Sequence, residues 1–206
     1  MAQAQRQVSM GFTEDKFPVG THMCLIYDNE DERRKTISKF LGAGQKEHEK
    51  VGYFVDTMAP ADVEAWLREM GVVIPNHGNS PEFTIAPAVE TYCPGGKFVP
   101  AEMLSGLSGL YHKSLEEGYA GSRVSGEMSW ALRGIPGSEC LIEYENSLNI
   151  VFETSPIVAI CQCDARRFSG EVIADVLKVH PMMVVQGQVV RNPCYITPQE
   201  FLKSKQ

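Results

Sequence analysis

No stretch of the chain approaches the ~18–20 consecutive apolar residues that a membrane-crossing helix needs. The N-terminal run MAQAQRQVSM is polar and lacks the apolar centre of a signal peptide, so a soluble, cytoplasmic protein is expected. Lysine and arginine nowhere gather into a basic patch, and a net charge of -7 with a pI near 5.3 offers no attraction to a polyanion. Direct nucleic-acid binding and membrane contact are therefore not expected. Internal repeats and low-complexity segments are also missing. The most consequential absence is local. The apolar run His22-Met23-Cys24-Leu25-Ile26-Tyr27 passes into Asp28-Asn29-Glu30-Asp31-Glu32, a turn with no glycine and no lysine. A phosphate cradle requires glycines for close backbone approach, a lysine for charge and a Ser or Thr for magnesium. This turn presents carboxylates instead, which argues against nucleotide hydrolysis.

What is present reads as an alternating α/β chain. At 206 residues and 43% hydrophobic, it can bury one sizeable core. Residues 1–16 read as an N-terminal tail and 17–206 as a single domain. The first strand is followed by a helix with Ile37, Phe40, Leu41 and Gly44 at i, i+3, i+4 and i+7. Asn29 and Glu32 have the spacing of a capping box. Val51 to Val55 reads as a strand, and Val63, Trp66, Leu67 and Met70 as an amphipathic helix ended by Gly71. Further strands are expected at Phe83 to Ala86, Ser122 to Gly126, Ile157 to Cys163 and Met182 to Val190. Tyr92 to Gly96 reads as a loop. Helices are expected around Met103 to Ser114, Leu141 to Phe152 and Val172 to Leu177, with a capping box at Thr197-Pro198-Gln199-Glu200. Such alternation predicts a mostly parallel sheet covered by helices on both faces.

Six ordered motifs carry a resemblance. They are His22-x-Cys24-x-x-Tyr27, Gly126-Glu127-Met128-Ser129-Trp130, Glu143-Tyr144-Glu145-x-x-Leu148-Asn149, Cys161-Gln162-Cys163-Asp164, His180-Pro181 and Asn192-Pro193-x-Tyr195. Together they resemble the MEDS family over roughly residues 17–196. The family name refers to methanogen and methylotroph proteins and to the sensory domain of the dichloromethane-responsive regulator DcmR. The resemblance implies a three-layer sandwich like RecA and KaiC, and a sensory role proposed for small hydrocarbon derivatives. DcmR-like relatives join the domain to a DNA-binding helix-turn-helix. Here only about twenty residues precede the matching region, so output through a regulatory protein partner is expected.

By the rule for open α/β sheets, ligand should lie beyond the carboxyl ends of the strands. The candidate ligand-binding residues are His22, Cys24, Tyr27, Glu127, Trp130, Cys163 and Asp164. No catalytic residue and no cofactor is assigned. Alternation places His22 with Cys24, and Cys161 with Cys163, each pair on one strand face. If the RecA-like resemblance makes those strands neighbours, the four residues could hold zinc or another soft metal. Alternatively, a Cys24 thiol of lowered pKa beside His22 would serve a redox sensor or thiol enzyme. The competing reading is plain burial, since free cysteine packs as a small hydrophobe. The six cysteines read as reduced thiols. The leading expectation is a non-enzymatic sensory module that binds a small molecule. An oligomeric RecA-like scaffold stands beside it, because related ATPases assemble through faces flanking the nucleotide site.

Overall fold

A computed structural model of the protein describes residues 6–204. Strands β1 (Gln7–Ser9) and β2 (Lys16–Pro18) form a small antiparallel pair. β3 (His22–Tyr27) leads into α1 (Glu30–Lys46), β4 (Lys50–Val55) into α2 (Pro60–Glu69), and β5 (Phe83–Pro87) into the short α3 (Ala88–Tyr92) and the long α4 (Pro100–Glu116). β6 (Ser122–Glu127) runs into a 3-10 turn at Met128–Arg133 and then α5 (Leu141–Thr154). β7 (Val158–Asp164), α6 (Gly170–Val179), β8 (Met182–Val185), β9 (Gln188–Arg191) and α7 (Pro198–Ser204) complete the order.

The main sheet has seven strands in the order β5-β4-β6-β7-β3-β8-β9, parallel except for β9. Helices cover both faces. On one side α1 and α2 lay Ile37, Phe40, Leu41, Val63, Trp66 and Leu67 on Leu25, Tyr53 and Ile160. On the other, α4, α5 and α6 lay Leu107, Tyr144, Leu148 and Val176 on Cys24, Cys161 and Cys163. The strand period of two divides every central strand between these cores.

Several expectations are revised. The segment expected to be a tail is folded over its described part: Val8 and Met10 are fully buried, and Phe12 packs on the first core. Val8 points inward from β1, and Met10 and Phe12 extend the apolar contact beyond the strand. Met182 to Val190 is a hairpin rather than one strand. Gln186 and Gly187 both have positive φ, the turn whose twist matches the two strands it joins. Part of the expected loop at Tyr92 is the end of α3. Asn29 caps α1 by accepting from the Asp31 and Glu32 N–H groups, so only the Asn half of that capping box is formed. The box at Thr197 is complete, with Glu200 accepting from Thr197 N–H and Thr197 Oγ1 from Glu200 N–H.

Candidate functional site

β3 and β7 are neighbours whose following helices, α1 and α6, lie on opposite faces, so their carboxyl ends form the topological switch point. Tyr27 and Asp164 are paired there in register. Glu127 closes β6 beside them. The crevice is filled by internal ion pairs. Arg33, one turn into α1 and buried, donates to Glu127 at 2.9 Å, Tyr53 at 2.8 Å and Gln162 at 3.3 Å. The other Glu127 oxygen accepts from the Asp56 and Thr57 N–H groups and from Thr57 Oγ1. Burial pushes the Glu127 carboxyl upward, but Arg33 and these donors hold it below its ordinary value. Arg166 bridges Asp164 and Glu30 at 2.8 and 2.9 Å, with its guanidinium 5.9 Å from the Tyr27 ring centroid.

His22 and Cys24 lie toward the other end of β3 and on the opposite face. Two strand-rise steps separate them from one another, and five, roughly 16 Å, separate His22 from Tyr27. The expected single site is thus divided, with His22 and Cys24 apart from the strand-end group. His22 Nδ1 is 3.0 Å from Asn149 Oδ1, while Nε2 lies 3.2 Å from Glu145 Oε2 and 3.4 Å from Cys161 Sγ. His180 arrives at the carboxyl end of α6, where its Nδ1 meets Val176 O at 2.8 Å and its Nε2 lies 3.4 Å from Glu145 Oε2. Asn192 pins this corner by donating to the Leu177 and His180 carbonyls. The side chains of His22, Glu145, Cys161 and His180 are all buried. Burial, then His180, lowers the His22 pKa; burial pushes the Glu145 carboxyl up, while His180 and His22 hold it below its ordinary value.

The set His22, Cys24, Cys161 and Cys163 does not converge as one ligand group among the described residues. Strand pairing aligns Cys24 with Cys161, as the shared face requires, yet the Cys24 thiol faces Met182 O at 3.9 Å. His22 and Cys161 are joined instead by Glu145 and His180. The lowered thiol pKa considered for Cys24 is also reversed. Burial pushes that thiol up to about 12, and raises Cys161 and Cys163 well above the ordinary value. A thiolate nucleophile at Cys24 has no local support.

Trp130 is fully buried and belongs to a third place. It stacks on Tyr92 with centroids 5.0 Å apart, and Phe98 and Tyr144 complete the aromatic cluster. Beyond Tyr92 lies a cavity of about 270 Å³ lined by Phe54, Pro94, Val99, Met103, Gly106, Leu107 and Leu110, with Thr91 and Glu102 as its polar groups. Gly126 makes this packing possible, because a Cβ there would collide with the Tyr92 hydroxyl.

Sequence reasoning passed over Arg33, Tyr53, Thr57 and Gln162. Arg33 stands four residues before Ile37 and so shares the apolar face of α1, a signal masked by the surrounding charges. Glu145 carried a similar signal, one residue after Tyr144 and three before Leu148 on the buried side of α5.

Comparison with known proteins agrees with this architecture. The chain shares 87% of its length with 80% of the KaiC-like protein PH0186 from Pyrococcus horikoshii OT3, at a TM-score of 0.63 and 16% identity. It shares 90% with 84% of the flagellar accessory protein FlaH from Methanocaldococcus jannaschii, at 0.60 and 10% identity. These likenesses make the fold RecA/KaiC-like. The transcriptional repressor DcmR of Methylorubrum extorquens is 37% identical over 81 residues, which are 39% of this chain and 31% of the repressor. The chain therefore matches about a third of that relative's length. The family described as MEDS, "MEthanogen/methylotroph, DcmR Sensory domain", matches residues 21–181, and with most of its length covered the chain belongs to the MEDS family of sensory domains.

Proposed function

We propose that the chain is a ligand-responsive regulatory module that takes a small, mostly apolar molecule and passes the change to a protein partner. The observation that carries this reading is the cavity of about 270 Å³ between α4 and the Tyr92 aromatic cluster. Its aromatic, aliphatic and methionine lining with two polar groups has the character of a small-molecule site. The similarity to a transcriptional repressor supports a regulatory output. A route from the cavity is built into β6. Tyr92 packs on Gly126, and the next residue, Glu127, faces the opposite core and holds Arg33 and the loop at Asp56 and Thr57. A ligand that moves Tyr92 therefore presses on a strand end whose two faces belong to different cores.

The magnitude is bounded. At a ceiling near −1.5 kcal/mol per heavy atom, a three-heavy-atom probe such as dichloromethane reaches about −4.5 kcal/mol, a Kd near 0.5 mM. The test is NMR titration of ¹⁵N-labelled protein with dichloromethane, butanol and toluene at millimolar concentration. Saturable shifts are expected at Met103, Leu107 and Tyr92. Gly106→Leu fills the cavity from a position where a Cβ meets nothing within 4 Å, and should abolish those shifts without loss of fold. Shifts that persist unchanged in Gly106→Leu, or that never saturate, would overturn the assignment.

A further inference from the structure

We propose that His22, Glu145, Cys161 and His180 form a zinc-binding site between the sheet and helices α5 and α6. Their ligating atoms, two imidazole nitrogens, a carboxylate oxygen and a sulfur, all lie within 4.8 Å of one another. Tetrahedral zinc takes this donor set, with bonds of about 2.0–2.3 Å that set ligand-to-ligand edges near 3.3–3.8 Å. The four edges through His22 and Glu145 measure 3.4, 3.2, 3.2 and 3.4 Å. The cage has nearly the size that the ion requires.

The surroundings orient the ligands as a metal site needs. Asn149 donates through Nδ2 to the Asn146 and Val179 carbonyls, which turns its Oδ1 toward His22 Nδ1. His22 therefore carries its proton on Nδ1, and the Val176 carbonyl fixes the same tautomer in His180. Each ring then directs its Nε2 at the Glu145 carboxylate, at 3.2 Å from His22 and 3.4 Å from His180. A metal ion placed among these atoms would take both Nε2 lone pairs and a carboxylate oxygen at once. A second observation agrees: Glu145 Oε1 and His180 Nε2 are buried without a hydrogen-bond partner. Such atoms are costly to leave unsatisfied. A route inward exists as well. A cleft of about 660 Å³ lined by Thr21, Asn149, Phe152, Pro181 and Tyr195 opens onto His22.

Binding would displace the Cys161 thiol proton to solvent and leave a thiolate on the ion. The test uses the chelator-stripped full chain, titrated with zinc against a chromophoric chelator and separately with cobalt(II). One ion per chain is expected, with a thiolate-to-cobalt charge-transfer band in the wild type. Cys161→Ser should remove that band and weaken zinc by about 100-fold or more, a loss at least as large as that of an orienting partner. His180→Gln should weaken zinc comparably while keeping the band. Cys24→Ser and Cys163→Ser should leave both readouts unchanged. Circular dichroism monitors folding, and if Cys161→Ser fails to fold, His180→Gln carries the test through its missing zinc-dependent thermal shift. Wild-type affinity weaker than micromolar, or a band that survives Cys161→Ser, would overturn the proposal.

Discussion

Glu127 accepts five hydrogen bonds at the end of β6, from Arg33, Tyr53, Asp56 N–H, Thr57 N–H and Thr57 Oγ1. Buried ion pairs gain little over apolar packing, but removing one partner leaves a stranded charge that costs about 3–5 kcal/mol. Glu127→Gln should therefore lose roughly that amount in urea unfolding at pH 7. The sign of the pH dependence follows from the depressed folded pKa. Wild-type stabilisation is complete above the unfolded value near 4.5 and is lost as pH falls through the folded value. The gap between wild type and Glu127→Gln should accordingly narrow in acid, and an equal gap at pH 3 and pH 7 would contradict the assignment. Glu127 was legible in the sequence, standing after a glycine at a strand end. Its partner was not. Arg33 sits in Glu30-Asp31-Glu32-Arg33-Arg34, where charge reads as solvated surface, and only the register of Ile37 and Phe40 reveals that it points inward.

Elements were legible wherever one periodicity ran long enough to dominate. The central strands β3, β4, β6 and β7 and the helices α1, α4 and α5 emerged from apolar spacing and fall within a few residues of the expected bounds. Short elements escaped for a physical reason. β1 and β2 have three residues each, too few for alternation to stand out, and their burial depends on α1 beneath them. The β8–β9 hairpin escaped because its turn, Gln186-Gly187, lacks the Asn or Asp that favours a left-handed first residue. Gln186 occupies φ 49° at a steric cost. Gln186→Asn should relieve part of it and stabilise the protein by on the order of 0.5–1 kcal/mol. For a domain of this size that is about 1–4 °C in Tm, readable by calorimetry. A lower Tm would mean that Gln186 makes a compensating contact.

At the scale of the molecule, the switch point of the RecA/KaiC-like sheet is occupied by the protein's own charges. Three carboxylates, Glu30, Glu127 and Asp164, meet two guanidiniums, Arg33 and Arg166, and the α1 N-terminus is capped by Asn29 with Asp31 and Glu32 in its first turn. The helix dipole that would favour an incoming phosphate already faces protein acid. A triphosphate entering here would have to part Arg33 from Glu127, strand that carboxylate, and settle among like charges. Linkage makes this measurable. A ligand at 100 times its Kd adds about 2.7 kcal/mol, and at 2–4 °C per kcal/mol that raises Tm by about 5–10 °C. Magnesium with ATP at 5 mM should shift the wild-type Tm by less than about 1 °C, which places any affinity in the millimolar range or weaker. A saturable shift of several degrees would show that the ion pairs open for nucleotide. Arg33→Met would then distinguish the routes: if phosphate used the freed guanidinium, the shift would vanish with it, and if it used the backbone at Asn29, the shift would remain.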